Sequence, residues 1–181
     1  DSQPCLVGSE MCIRDRVGAG RSEGGHDLRA ALHTCLSSQM ELLLVRHALP
    51  VRRELETGVA DPELSEAGHA QAKHLAAYLA AERLDAIYAS PLRRAYQTAE
   101  HVAADQSIGI VVEDDVAEWD RNSPEYVPIE ELKAANDPRW QMMLRGEWSE
   151  RDETPEEFHA RVVSAVERLI DAHSGHRIAV V

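Results

Sequence analysis

Cysteine is missing from most of this chain. All three cysteines, Cys5, Cys12 and Cys35, precede Met40. From Met40 onward neither a disulfide framework nor a cysteine-ligated metal is available, and a reducing, cytoplasmic setting is the default expectation. Long apolar runs are also absent. None approaches the roughly 18 residues that span a bilayer, so no membrane association is expected. Positive charge is scarce: 19 Lys and Arg face 32 Asp and Glu, for a net charge of −13. That balance disfavours a nucleic-acid partner. It also makes the arginines informative, because an acidic protein that binds an anion must gather its positive charge locally. Phe occurs once, and the abundant Ala and Leu suit a helix-rich chain.

The 181 residues suffice for one domain with a sizeable core. Residues 1–39 differ from the rest, being rich in Gly, Ser and Arg without sustained periodicity. The stretch from Cys5 to Arg16 resembles a translated sequencing adapter. The segment 1–39 therefore reads as a disordered leader, non-native in origin, and Met40 as a plausible true start of a domain over 40–181.

Leu42-Leu43-Leu44-Val45 reads as a buried strand, and it runs into Arg46-His47-Ala48. Ligands of open α/β sheets bind at strand carboxyl ends. A histidine there can serve as base, ligand or nucleophile. The adjacent Arg46 disfavours a metal and favours an anion such as phosphate. A polar loop from Pro50 to Glu63 follows, with Arg52 and Arg53. Ser65 then caps a helix whose buried stripe is Ala72, Leu75, Ala76 and Leu79. Gly68 in its first turn costs helix stability, so close backbone approach is the expected reason for it. His69 and His74 fall off the stripe and read as surface residues.

Leu84 to Ala89 reads as a second strand. It feeds Ser90-Pro91-Leu92-Arg93-Arg94, where Ser90 is the expected N-cap and Pro91 the first helical residue. Free N–H groups at that helix start would favour an anion. Leu92, Ala95, Ala99 and Val102 form the stripe, which turns Arg94 toward the sheet edge and Arg93 toward solvent. Ile108 to Val112 is a third strand. The acids after it, Glu113 to Asp120, offer one carboxylate as a proton donor. Residues 119–153 lack clean periodicity and hold Trp119, Trp140 and Trp148. They read as a lid or specificity insertion with a short helix over Glu130–Asn136. Thr154-Pro155-Glu156-Glu157 is a capping box that opens a helix. Arg177 to Val181 begins a last strand. The alternation predicts an α/β fold: three layers, with a mainly parallel sheet covered by helices on both faces.

Three ordered stretches resemble the histidine phosphatase superfamily, the phosphoglycerate mutase-like fold. They are Leu44-Val45-Arg46-His47-Ala48, then Thr57-Gly58 with Asp61, Leu64, Ser65 and Gly68, then Ser90 to Ala99. The resemblance implies a metal-independent phosphomonoester hydrolase with no cofactor, whose partner is a small phosphorylated metabolite or another phosphomonoester. His47 would be the nucleophile and form a phosphohistidine. Arg46 and Arg94 would hold the phosphoryl oxygens, and Glu118 would be the general acid, with Asp114, Asp115 and Asp120 as competitors. Thr57, Gly58 and Arg53 would contact substrate. Ala48 stands where the motif has glycine, a small change. The family's second catalytic histidine follows a strand like Ile178–Val181. The resemblance therefore implies an N-terminal portion that lacks this histidine and is poorly active. Mutase-type transfer and a non-catalytic phosphate-ester-binding relative are the alternatives. Leu49 to Arg53 departs from the mutase continuation, which favours the hydrolase.

Overall fold

The computed structural model describes residues 12–13, 40–147 and 153–181. Most of the leader 1–39, and Trp148 with the rest of 148–152, lie outside the described residues. Seven strands are seen among them: β1 (Cys12–Ile13), β2 (Glu41–Val45), β3 (Arg53–Glu54), β4 (Ala86–Ala89), β5 (Ile110–Val112), β6 (Glu125–Tyr126) and β7 (Arg177–Val180). The helices are α1 (Glu66–Leu79), α2 (Arg93–Gln106), α3 (Ile129–Ala134), α4 (Pro138–Leu144) and α5 (Pro155–Ala172).

The main sheet has the order β1-β2-β7-β4-β5. β2, β7, β4 and β5 run parallel, and only β1 pairs antiparallel, on β2. Strand side chains alternate between faces. Leu43, Ile87, Ala89 and Ala179 meet Ala76 and Leu79 of α1 and Ala99, Val102 and Ala103 of α2 on one face. Leu42, Ala86, Tyr88, Ile178 and Val180 meet Leu169 of α5 on the other. The three-layer, mainly parallel α/β architecture expected from the strand–helix alternation is the one found. Its parallel strands send the segments after β2, β4 and β5 out over a single edge.

The helix starts show where local reading succeeds. Ser65 Oγ accepts from the N–H of Gly68 at 3.0 Å and donates to the Leu49 carbonyl at 2.9 Å. A Cβ on Gly68 would sit 2.0 Å from the Leu49 carbonyl oxygen, so the glycine is there for close approach. Thr154 and Glu157 form the capping box of α5. His74 is exposed, but His69 is half-buried, with its Nδ1 3.1 Å from Nε2 of His101 on α2.

One helix start differs. Leu92, not Ser90, is the N-cap of α2, with extended backbone (φ −64, ψ 131) and no side-chain cap bond of its own. Ser90 Oγ instead accepts from the Leu92 N–H at 3.3 Å, and Pro91 lies outside the helix. The Arg93 N–H is taken by Asp61 Oδ1 at 2.8 Å, from a loop 32 positions earlier. The start of α2 is thus partly capped within the protein, and the oxyanion-binding capacity of this corner rests chiefly on side chains.

The insertion after β5 is fastened to the loop between β2 and α1. β3 and β6 pair antiparallel, with Arg53 opposite Tyr126. The N–H groups of Leu55 and Ala60 donate to the carbonyls of Pro124 and Ser123. This small sheet carries Tyr126 over the edge of the main sheet. The short helix expected at 130–136 is α3, and α4 is an additional helix.

Candidate active site

His47 leaves the carboxyl end of β2 and is almost buried, with 6% of its side chain exposed. Its Nδ1 lies 2.8 Å from the Ala48 carbonyl oxygen. A carbonyl only accepts, so Nδ1 carries the hydrogen and Nε2 is aimed outward. Nε2 lies 3.4 Å from Glu118 Oε2.

Among the described residues Arg94 is the largest fully buried side chain, 1% exposed. It reaches the sheet edge because its Cβ lies beside the apolar stripe of α2, while Arg93 points outward to Glu63 at 2.8 Å. Arg94 donates from Nε and Nη2 to Glu118 Oε2 at 3.2 and 2.6 Å, and from Nη2 to Asp120 Oδ1 at 2.6 Å. Its guanidinium lies 4.5 Å from the centre of the Tyr126 ring, a cation–π contact. The Tyr126 ring also stands edge-on to His47, with centroids 6.2 Å apart. Thr98, one turn along α2, donates to the Arg94 carbonyl at 2.7 Å and accepts from the Ala48 N–H at 2.9 Å. One buried hydroxyl thereby locks the histidine loop to the arginine helix.

Burial alone would pull the Arg94 guanidinium toward neutrality, but Asp120 and Glu118 more than reverse this. Burial pushes the Glu118 carboxyl up. Hydrogen bonding and charge from His47, and then from Arg94, outweigh it and hold the group at about 2. Burial pushes the Tyr126 hydroxyl up. Glu118 is accordingly a carboxylate bridging an imidazole and a guanidinium. An oxyanion arriving at Arg94 competes for the donors that Glu118 and Asp120 now use.

The structure thus brings His47, Arg94 and Glu118 together, as the sequence suggested. Arg46 is at the rim, 39% exposed, with Nη1 4.0 Å from Glu130 Oε1 at the start of α3. Arg53 donates to the Asp61 carbonyl at 3.3 Å and approaches Glu63 at 3.7 Å. Thr57 and Gly58 form an exposed turn, with Gly58 at φ 94. Of the other acids, Asp120 is in the site, Asp115 pairs with Arg168 at 2.9 Å, and Asp114 is exposed. Thr98 and Tyr126 were not singled out from the sequence. Thr98 had a signal, the i, i+4 spacing from Arg94 on one helix face. Tyr126 had none, since only the pairing of β6 with β3 brings it in. Among the described residues no group of three or more His, Cys, Asp or Glu is arranged to hold a metal.

A buried arginine and a histidine lie at the carboxyl edge of a parallel α/β sheet, with a carboxylate between them. The chain belongs to the histidine phosphatase superfamily (branch 1), whose family model matches residues 42–181. It is 42% identical over 97 residues to phosphoserine phosphatase 1 of Hydrogenobacter thermophilus, covering 51% of this chain and 45% of that protein. It is 28% identical over 154 residues to phosphoglycerate mutase-like protein 4 of Arabidopsis thaliana, covering 78% and 65%. The chain thus matches between about half and two thirds of the length of these relatives. Bacillus stearothermophilus YhfR superposes with a TM-score of 0.60 at 26% identity, over 78% of this chain and 72% of that one.

Proposed function

We propose that this chain is a metal-independent phosphomonoester hydrolase, acting on a small phosphorylated metabolite or other phosphomonoester through a phosphohistidine on His47. The observation that carries the reading is the aim of His47. Its Nδ1–H is tied to the Ala48 carbonyl, which leaves Nε2 facing Glu118 and the buried guanidinium of Arg94. The names of the relatives, a phosphoserine phosphatase and a mutase-like protein, both concern phosphate esters.

In this reading phosphoryl oxygens take over the Arg94 donors, and Arg46 supplies a second guanidinium from the rim. The Nε2 lone pair attacks phosphorus and the ester P–O bond breaks. As Arg94 turns to the phosphoryl oxygens, Glu118 loses one of the contacts that hold its carboxyl low; it takes the proton that the ester monoanion brings and passes it to the leaving oxygen. Water then attacks the phosphohistidine, the carboxylate of Glu118 takes a water proton, and the P–N bond breaks to give orthophosphate. Thr57, Gly58 and Arg53, on the loop fastened to the insertion, contact the alcohol portion. The cysteine-free stretch from Met40 onward favours a reducing, cytoplasmic setting, and among the described residues no helix is long and apolar enough to cross a membrane.

The test is orthophosphate release from p-nitrophenyl phosphate and phosphoserine with EDTA present. The expected result is hydrolysis that EDTA does not affect and that H47A abolishes. Activity retained in H47A, or lost with EDTA, would contradict the proposal. With 3-phosphoglycerate, an isomeric product in place of free phosphate would identify a mutase.

A further inference from the structure

Glu118 sits on irregular backbone, between the short 3-10 turn Asp114–Val116 and a run of turns. Its side chain is 46% exposed. Arg94 and His47 hold the carboxylate at its tip, and whether it reaches both depends on how firmly the backbone beneath it is held. That backbone is held from α5. Arg161 Nη1 donates to the carbonyls of Asp115 and Ala117, at 2.8 and 3.0 Å. The second of these belongs to the residue directly before Glu118. The rest of the guanidinium fork is fixed by Glu153, which accepts from Nε at 3.0 Å and from Nη2 at 2.5 Å. Glu153 also faces Arg121, three residues past Glu118, at 3.5 Å. Only 13% of the Arg161 side chain and 12% of the Glu153 side chain are exposed. One turn earlier on α5, Phe158 lies under the Arg161 guanidinium at 5.3 Å and meets the Trp119 ring edge-on at 5.5 Å.

We infer that Arg161 is a positioning residue for the proposed acid: its guanidinium, braced by Glu153, fixes the backbone that aims the Glu118 carboxylate between His47 and Arg94. The inference rests on the acid role proposed for Glu118. Arg161 touches neither His47 nor Arg94 through any described hydrogen bond, so its influence reaches the site through the backbone segment that carries Glu118. The planar fork matters, because two carbonyls on one side and a carboxylate on the other need donors in a fixed plane. A lysine supplies charge without that plane.

The test compares R161A, R161K and E118Q on two esters. p-Nitrophenol leaves with little protonation, whereas the serine alkoxide of phosphoserine requires the acid. R161A is expected to lose roughly 10- to 100-fold in kcat on phosphoserine and much less on p-nitrophenyl phosphate, the pattern of E118Q, with R161K between wild type and R161A. A second readout needs no turnover. The Glu118 side-chain carboxyl carbon, assigned by its loss in E118Q, is titrated by 13C NMR. Its midpoint is expected at about 2 in the wild type, held low by His47 and Arg94, and to move up by about one pH unit or more in R161A, as contact with those groups loosens. Equal losses on both esters in R161A, while E118Q discriminates, would overturn the inference, as would an unmoved midpoint. If E118Q itself fails to discriminate, the acid role of Glu118 fails, and the midpoint alone then decides whether Arg161 positions the carboxylate.

Discussion

Replacing Gly68 with alanine sets two physical effects against each other. Gly68 is in the first turn of α1, where alanine is the better helix former by about 1 kcal/mol. An added Cβ, however, would lie 2.0 Å from the carbonyl oxygen and 2.9 Å from the carbonyl carbon of Leu49. Both are backbone atoms, so no side-chain rotation relieves the clash. The start of α1 or the 47–49 loop must shift by more than an ångström. Overpacking of this kind costs about 1–3 kcal/mol. The shift also strains two hydrogen bonds to the Leu49 carbonyl, from the Ser65 N–H and from Ser65 Oγ, both 2.9 Å; each is worth about 1 kcal/mol. Less the gain in propensity, the net loss is roughly 2–4 kcal/mol, or a fall in Tm of about 7–13 °C for a domain of about 140 residues. Leu49 is two residues from His47, so the shift reaches the Ala48–Thr98 hydrogen bond, and orthophosphate binding should weaken too. Differential scanning calorimetry and titration calorimetry measure the two effects. G109A is the control, because a Cβ there meets nothing within 4 Å, and its stability should stay within about 0.5 kcal/mol of wild type. A G68A chain as stable as wild type, or more so, would refute the close-approach reasoning.

Three further outcomes follow from the site. The Glu118 carboxyl is held at about 2, below its unfolded value. It therefore contributes stability that is fully present above the ordinary glutamate range and is lost as pH falls through about 2. A fully buried shift of that size corresponds to about 3 kcal/mol; at 46% exposure, screening leaves roughly 1–2 kcal/mol. Urea denaturation should show E118Q less stable than wild type at pH 7 and the gap closing toward pH 2; a gap independent of pH would contradict the assignment. R94K keeps the charge but loses the fork that serves Glu118 and Asp120, so vanadate or orthophosphate should bind roughly 10- to 100-fold more weakly by titration calorimetry. Unchanged affinity would show that Arg94 acts only as a point charge. Y126F keeps the ring over Arg94 and should match wild type in oxyanion affinity, whereas Y126A should lose about 1–2 kcal/mol of it; equal losses in both would assign the effect to the hydroxyl.

Features whose cause lies within a few residues were legible in the sequence. The Ser65 cap, the capping box at Thr154, the strands and the alternation of layers each depend on local pattern. The helical stripe on α2 sufficed to separate buried Arg94 from exposed Arg93. Gly68 was legible as a cost that needed a reason, although the reason, the Leu49 carbonyl, comes from another segment. What local reading missed was long-range. Asp61 caps α2 from 32 positions away, which frees Ser90 from the role that its place before Pro91 suggested. Tyr126 enters the site only because a two-residue strand pairs with β3. Arg161 lies 43 to 46 positions from the backbone and side chain it supports. Arg53 pairs with the loop at Asp61 and Glu63, an arrangement set by tertiary contact and not by spacing.

The claim that His47 is the phosphoryl acceptor is tested most directly by trapping. The chain is mixed with phosphoserine, or p-nitrophenyl phosphate, and quenched with alkali, in which a phosphohistidine survives. Peptide mass spectrometry then locates the phosphoryl group. The account predicts that it is on His47 in the wild type, at a higher level in E118Q with p-nitrophenyl phosphate, whose cleavage needs little protonation while release to water is slowed, and on no residue in H47A. A phosphoryl group on another residue, or one that persists in H47A, would contradict it.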